Sequence, residues 1–466
     1  MGTIAPYMQI KSILKKSGKL FEPVDIASLV FFRVVFGLVM LWEATRLWRA
    51  AEGYFLRPIF QFKYYGFGWV HVLPGDGIYY LIALLGILAS LITLGFFHRI
   101  AATLFFVGIT YIFLLDKTYY LNHMYLVSIL SFLLILIPCH RSFSLDALIN
   151  PKLRSQFVPA WSLWVLRAQI GIPYFYGGLA KLNPDWLRGE PMRTWLAELT
   201  STPLLGQFLT EEWVVYLFSY GGLGFDLLIV PLLLFRKTRA IAFIASAMFH
   251  LTNAYIFNIG IFPWLMIPAT LIFFPPSWPR RLMATVRRKE LDLEAEVTPT
   301  PELFPSYRGL TICFLMVYLA IQLLVPFRQV LYPGYSSWTE EGYRFSWNMK
   351  LDENESLGIF YVTDAKSHQK QEYPPEKIVN SLLTRNQYLT MAASPDMILQ
   401  FAHYLAELYK EKGYPDVEVK ARALVTLNGR PPQLLIDPNV NLVKLKRRLW
   451  PPAPWILPLN QEKQTR

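Results

Sequence analysis

Residues Tyr174 to Leu196 read YFYGGLAKLNPDWLRGEPMRTWL. The first half closes an apolar, aromatic, glycine-containing helix. Asn183-Pro184 then breaks that helix, and the chain turns sharply polar. Lys181 therefore stands where a membrane-type segment meets whatever lies outside it. An ionisable group in such a place is commonly an anchor that snorkels to the interface, and this bland role has to be weighed against a chemical one. Against it stands the rest of the chain, which brings other reactive side chains to the same end.

Of the 466 residues, 54% are hydrophobic, 16% aromatic and only 17% charged, with a mean hydropathy of +0.31. That is the composition of an integral membrane protein. Apolar runs of about the 20 residues needed to cross a bilayer lie at 27–47, 77–97, 101–115, 121–138, 159–180, 213–235, 240–257, 259–274 and 309–325. They predict a polytopic α-helical membrane protein of about nine transmembrane helices. The formal charge of +12 is unevenly placed. Lys11, Lys15, Lys16, Lys19, Arg99, Arg141, Lys152, Arg154, Arg236, Lys237, Arg239 and the arginines from Arg280 to Arg308 fall on one side; fewer cations, among them Arg49, Lys63, Lys117 and Arg188, fall on the other. By the positive-inside rule, segment 1–26 and the linker 276–308 are cytoplasmic, and everything after the ninth run is extracytoplasmic, periplasmic or lumenal. The charge thus sets topology and calls for no nucleic acid. Met1 to Leu20 lacks the apolar core of a cleavable signal peptide. Cys139 and Cys313 are the only cysteines; without a CxxC or a His/Cys cluster at ligand spacing, neither a disulfide framework nor a metal site is expected.

The linker SWPRRLMATVRRKELDLEAEVTPTPELFPS is basic, then acidic, then proline-rich, and reads as solvated loop or surface helix. The stretch 27–325 forms the membrane domain. From 326 to 466 the composition is that of an α+β domain. Ser394-Pro395 starts a helix that Gly413 stops. Val417, Val419, Ala421, Ala423, Val425 and Leu427 alternate as one face of a strand, and Asn428-Gly429 turns the chain towards QLLIDP. A sheet needs cover, so this domain is expected on the outer ends of the transmembrane helices.

With this topology three polar clusters reach the outer face: Asp116 to His123, Tyr176 with Lys181, and His250 to Asn253 with Phe257 to Gly260. The segment Trp338 to Met349 lies on the same side. Arg33, Glu43, Arg167 and Asp226 fall inside crossings and are expected to pair with one another structurally, without a catalytic part.

Four of these runs, LLDKTYYLNHMYL at Leu114 to Leu126, FYGGLAKLNPDWLRG at Phe175 to Gly189, FHLTNAYIFNIGIFPWLM at Phe249 to Met266 and WTEEGYRFSWNM at Trp338 to Met349, closely resemble the vitamin K-dependent gamma-glutamyl carboxylases. LLIDPNVNLV at Leu434 to Val443 fits as well. The broader group of HTTM-domain membrane proteins shares the first two or three motifs; the match into the C-terminal domain favours the carboxylase. The resemblance implies a coupled reaction in which a reduced vitamin K, phylloquinol or menaquinol in type, is oxygenated to its epoxide while a glutamate of a protein or peptide substrate gains CO2. No ordinary side chain is basic enough to deprotonate the gamma carbon of glutamate, so the stronger base has to come from the quinol and O2.

The resemblance also assigns roles. Lys181 matches the amine that starts the sequence on the quinol; to act it must be unprotonated, a form that apolar surroundings favour. His123 matches the histidine of the glutamate deprotonation and carboxylation stage, and Asn122 beside it is suited to hold an oxyanion, or is simply an N-cap. Phe257, Asn258, Ile259, Gly260 and Met349 match positions near the quinone, against the alternative of plain core. Tyr343, Ser346 and Trp347 match a segment that places the glutamate, with Asn253 beside the site. The chain is shorter than the animal enzymes, which suggests a bacterial version. Two other readings stay open: a quinol oxygenase with a different or lost acceptor, and a non-catalytic membrane protein that binds a lipid or a partner. The sequence does not fix an oligomeric state.

Overall fold

The computed structural model describes residues 17–202, 206–257, 259–287 and 307–460. Lys11, Lys15, Lys16, Asn258 and the linker from 288 to 306 lie outside the described residues. Twelve helices of eight residues or more are described: α1 Ala27–Ala51, α2 Gly77–Leu94, α3 His98–Leu115, α4 Asn122–Leu136, α5 Trp161–Ala180, α6 Glu212–Leu234, α7 Arg239–Phe257, α8 Phe262–Thr270, α9 Trp278–Arg287, α10 Arg308–Leu324, α11 Arg385–Ala392 and α12 Pro395–Glu411.

Six of them, α1, α2, α3, α6, α7 and α10, are long and apolar enough to cross a membrane by length and composition. The other three expected crossings are less regular. α4 has 15 residues because Asp116 leaves the helical region and accepts from Thr118 N–H, which closes a short turn before Asn122. α8 has 9 residues and tightens into a 3-10 turn at Leu271–Phe273. α5 keeps 20 residues, but Arg167, Gln169 and its glycines dilute its apolar character. The mostly helical membrane domain therefore stands, and six rather than nine is the number of described helices that meet the length and composition of a span.

Neighbouring helices pack closely where side chains are small. A Cβ on Gly37 of α1 would lie 2.2 Å from Thr93 Oγ1 and 2.8 Å from the Ala89 carbonyl of α2, so only glycine permits that approach. The buried charges do not pair with one another as expected. Arg33 donates to the carbonyls of Cys139 (3.0 Å) and Phe143 (2.5 Å), and Arg167 to those of Ile272 (3.0 Å) and Phe274 (3.2 Å). Glu43 takes Arg46, one turn away, at 2.9 Å. The two arginines meet helix-end and loop carbonyls that the backbone leaves unsatisfied.

The C-terminal region is the expected α+β unit. Four strands, β3 Asn354–Asp364, β4 Lys370–Tyr373, β5 Val417–Leu427 and β6 Gln433–Leu434, form an antiparallel sheet in the order β4-β3-β5-β6; β1 and β2 are Pro23–Asp25 and Phe157–Pro159, paired at the other end of the bundle. β3 and β5 pair along their whole length from Asn354↔Leu427 to Asp364↔Val417. Asn428 (φ 52°) and Gly429 (φ 73°) make the turn that leads to β6. The alternating residues of β5 face inwards against α12. Phe62, from the connection between α1 and α2, is buried in the core of this domain, which also holds Trp338. Further ties run from Asp116, which accepts from Gln387 Nε2 at 2.7 Å, from Lys117, whose Nζ is 2.5 Å from Asp396, and from Asp185 to Arg430 and Asn428. The domain thus covers the bundle end that carries the three polar clusters.

Candidate functional site

The last turn of α5 lies against α6 because it is made of glycine. A Cβ on Gly178 would sit 2.7 Å from Leu227 Cδ2; one on Gly177 would sit 2.9 Å from Met349 Cε and 3.3 Å from Asp226 Oδ2. Asn183 ends this geometry: its Oδ1 accepts from the N–H groups of Asp185 and Trp186, both at 3.0 Å, and starts a new short turn. Lys181, between the two, has its Nζ 2.6 Å from Asp226 Oδ2 and 3.3 Å from the Gly177 carbonyl. Both side chains are buried, Lys181 at 5% and Asp226 at 3% exposure.

Asp226 lies about four turns into α6, so Lys181 is not an anchor at an open interface. The chain after it folds back as a cover. The Trp186 ring lies 5.1 Å from Nζ, and its Nε1 donates to the Ser219 carbonyl at 2.7 Å. Trp186 belongs to an apolar cluster with Met192, Trp195 and Leu351, against which Leu227 and Phe257 pack. As an ion pair or as amine and carboxylic acid, Lys181 and Asp226 carry no net charge, which is what allows two such groups to sit in this interior. Sequence reasoning missed Asp226 as the partner of Lys181; the available signal was a single carboxylate within the long apolar run of α6.

Asn122 is not an N-cap: the cap of α4 is Leu121, with no side-chain bond. Its Oδ1 accepts from Tyr120 OH at 2.9 Å and its Nδ2 donates to the Asn348 carbonyl at 2.7 Å, while Tyr120 OH in turn accepts from Phe345 N–H at 2.8 Å. His123 is buried, its ring stacked 6.0 Å from Phe262, and its side chain makes no hydrogen bond among the described residues. Phe262 also meets His250 at 5.6 Å, and His250 Nε2 is 2.6 Å from Tyr174 OH. Gly260, at φ 60°, fits against Arg46, where a Cβ would meet Nη1 at 2.5 Å.

Lys181 and His123 do not touch. Their two helices contact each other directly, and the pair Asn348-Met349 bridges them at this end: the carbonyl of the first accepts from Asn122 at the start of α4, and the methyl of the second packs on Gly177, one turn before Lys181. The segment that delivers them is tightly folded. Glu340, Phe345, Trp347 and Lys350 all have positive φ (54°, 65°, 58° and 50°), a region bulky side chains seldom adopt unless the surroundings impose it. Tyr343 OH donates to Asp352 at 2.5 Å, Ser346 Oγ to the Gly342 carbonyl at 2.7 Å, and Asn348 Nδ2 to Gln329 at 2.8 Å. Tyr343 and Ser346 therefore hold the loop. Trp347 is 1% exposed, with its ring 4.9 Å from Tyr125 and its Nε1 donor without a partner among the described residues. Burial pushes the Asp352 carboxyl up to about 6, although Tyr343 works the other way.

The remaining predicted residues are more dispersed. Phe257 packs on Trp195 (5.0 Å), with Lys350 Nζ 5.1 Å from its ring. Ile259 is half-buried and its carbonyl accepts from Phe262 N–H. Asn253 is half-buried on α7 and its side chain makes no hydrogen bond among the described residues. Among the described residues no group of three or more His, Cys, Asp or Glu is placed to hold a metal ion.

Comparison with known families adds two matches. Residues 21–278, more than half of the chain, match a family model described as the HTTM domain. Residues 307–462 match one described as the vitamin K-dependent gamma-carboxylase, lumenal domain. No solved structure matches.

Proposed function

Because the chain belongs to the vitamin K-dependent gamma-glutamyl carboxylase family, with an HTTM domain followed by the family's lumenal domain, we propose that it carboxylates glutamate in a protein or peptide, using a reduced vitamin K-type quinol, O2 and CO2. The quinol, once deprotonated and oxygenated, would supply on its way to the epoxide the base strong enough to take the gamma proton of glutamate. Lys181 is the group that takes the first proton, from the quinol hydroxyl. Asp226 holds the Lys181 nitrogen in place at 2.6 Å; with the shared proton on the Asp226 carboxyl the amine has the lone pair this step needs, and the ammonium it becomes is balanced by the quinolate. Trp186, Met349 and Phe257 offer the flat or polarisable apolar surfaces that suit a quinone ring, and the cover over Lys181 keeps bulk water from the base.

On this reading Asn122 and His123 serve the later stage. The Asn122 amide holds the Asn348 carbonyl, and so positions Trp347 and Met349 on either side of it. The unpartnered Trp347 Nε1 is a donor for a carboxylate or an oxyanion. The His123 ring, neither hydrogen-bonded nor ion-paired among the described residues, is free to accept or return a proton as glutamate reacts. The observation that carries the proposal is the Asn348-Met349 bridge, which links the two motif helices through the lumenal-domain segment. The test is incorporation of labelled CO2 into a glutamate peptide by the detergent-solubilised protein. Label that appears only with reduced vitamin K supports the reading, and none under any quinol overturns it.

A further inference from the structure

At the end of the bundle opposite Lys181, a groove of about 770 Å³ opens between the start of α1, the end of α2 and the turn after α4. Val34, Leu94 and Phe143 form its apolar wall, and Arg141, Arg154 and Arg280 its polar one; no carboxylate lines it. The walls are preformed. Arg33, fully buried, ties the carbonyls of Thr93 and Phe143 together, and Ser144 caps the short helix Leu145–Ile149 through Ala147 N–H. The carboxylates beside the groove are already engaged: Asp146 accepts from the N–H groups of Phe97 and His98, and Asp25 pairs with Arg280.

The three arginines are unequally satisfied. Arg280 pairs with Asp25 at 2.9 Å, and Arg154 gives its Nε to the Ala147 carbonyl at 2.8 Å. Arg141 makes no side-chain hydrogen bond or ion pair among the described residues, and burial and the nearby Arg99 both disfavour its charge. An anion in the groove would meet the charges of Arg141 and Arg154, which no carboxylate pairs among the described residues, and add a second partner for Arg280. The rim shows which kind of anion: Leu94, Phe97, Phe143, Leu148 and Ile149 are 52 to 74% exposed and continue the apolar wall outwards. A free phosphate has no use for that wall, whereas a lipid has both a phosphate and a chain to lay along it.

We propose that this groove binds an anionic phospholipid, with its phosphate among Arg141, Arg154 and Arg280 and one acyl chain along Val34 and Leu94. A zwitterionic headgroup would bring a cation into a groove lined by no carboxylate, with Asp25 and Asp146 beside it already engaged. The site is remote from Lys181 and does not depend on the reaction proposed above.

The test uses the purified full chain in nanodiscs and spin-labelled phosphatidylglycerol against spin-labelled phosphatidylcholine, reading the immobilised fraction of each. The wild type should prefer phosphatidylglycerol, and Arg141→Gln should lower that preference about fivefold, with Arg154→Gln adding to the loss. Val34→Trp, which fills the apolar wall but leaves every arginine, should lower retention as well. Arg236→Gln with Lys237→Gln, in another basic connection, should change nothing. The proposal is overturned by equal retention of the two lipids, by a preference that survives Arg141→Gln with Arg154→Gln, by an equal loss in the Arg236/Lys237 control, or by full displacement with millimolar inorganic phosphate.

Discussion

Lys181 Nζ and Asp226 Oδ2 stand 2.6 Å apart in the interior, on helices that glycine brings together. Removing one partner leaves a buried charge without compensation, which costs about 3–5 kcal/mol. Asp226→Ala should therefore lower thermal stability markedly and abolish quinol epoxidation, while Lys181→Ala combined with Asp226→Ala should be more stable than Asp226→Ala alone. Equal stability of the single and double variants would show that the two charges do not compensate each other.

Lys181→Ala should abolish epoxidation and carboxylation together, since its step precedes use of oxygen. His123→Ala should reduce carboxylation far more than epoxidation. A small exogenous amine should partly restore Lys181→Ala if the side chain acts only as proton acceptor. Both products have to be followed on the same samples; a folded Lys181→Ala protein that makes epoxide at the wild-type rate removes the lysine from the chemistry.

Asn122→Leu deletes the amide that holds the Asn348 carbonyl. Leaving that buried carbonyl without its donor costs about 1–3 kcal/mol, and the loss should concentrate in the loop. Hydrogen exchange should rise at residues 343 to 350 more than elsewhere, with both activities lowered. Unchanged exchange there would mean that the loop is held by Tyr343, Ser346 and Gln329 alone.

Asp352 sets a pH dependence. Its carboxyl titrates near 6 in the folded protein, against about 3.9 in an unfolded chain. Between those values the folded state binds more protons, so this residue's contribution to stability is greatest below about pH 4, falls as pH rises to about 6, and is level above that. Asp352→Asn should flatten the wild-type curve of thermal stability over this window. An identical slope in the variant would assign the dependence to another group.

The placement of the outer domain is checked by labelling. A cysteine introduced at Lys366, exposed in the turn between β3 and β4, should react with an impermeant reagent from the extracytoplasmic side, and one at Arg281 from the cytoplasmic side. The reverse pattern would invert the topology.

Hydropathy, the proline break at Asn183-Pro184, the alternation of β5 and the spacing of the motifs are local properties, so the sequence by itself determined the membrane class, the end of α5 at Lys181, the strand and turn at Asn428-Gly429, and the family. It also marked Asp226 as unusual while pairing it with the wrong partners. Which residues meet was decided by tertiary structure, because contacts between residues far apart in the chain depend on how helices pack. Asp226 is 45 residues from Lys181, and Asn348 is 226 from Asn122. Apolar length alone predicted nine crossings, yet only six described helices meet the length and composition of a span. Inside a bundle, other helices and loops can meet the polar groups of a short or diluted segment, and no window of sequence records that help.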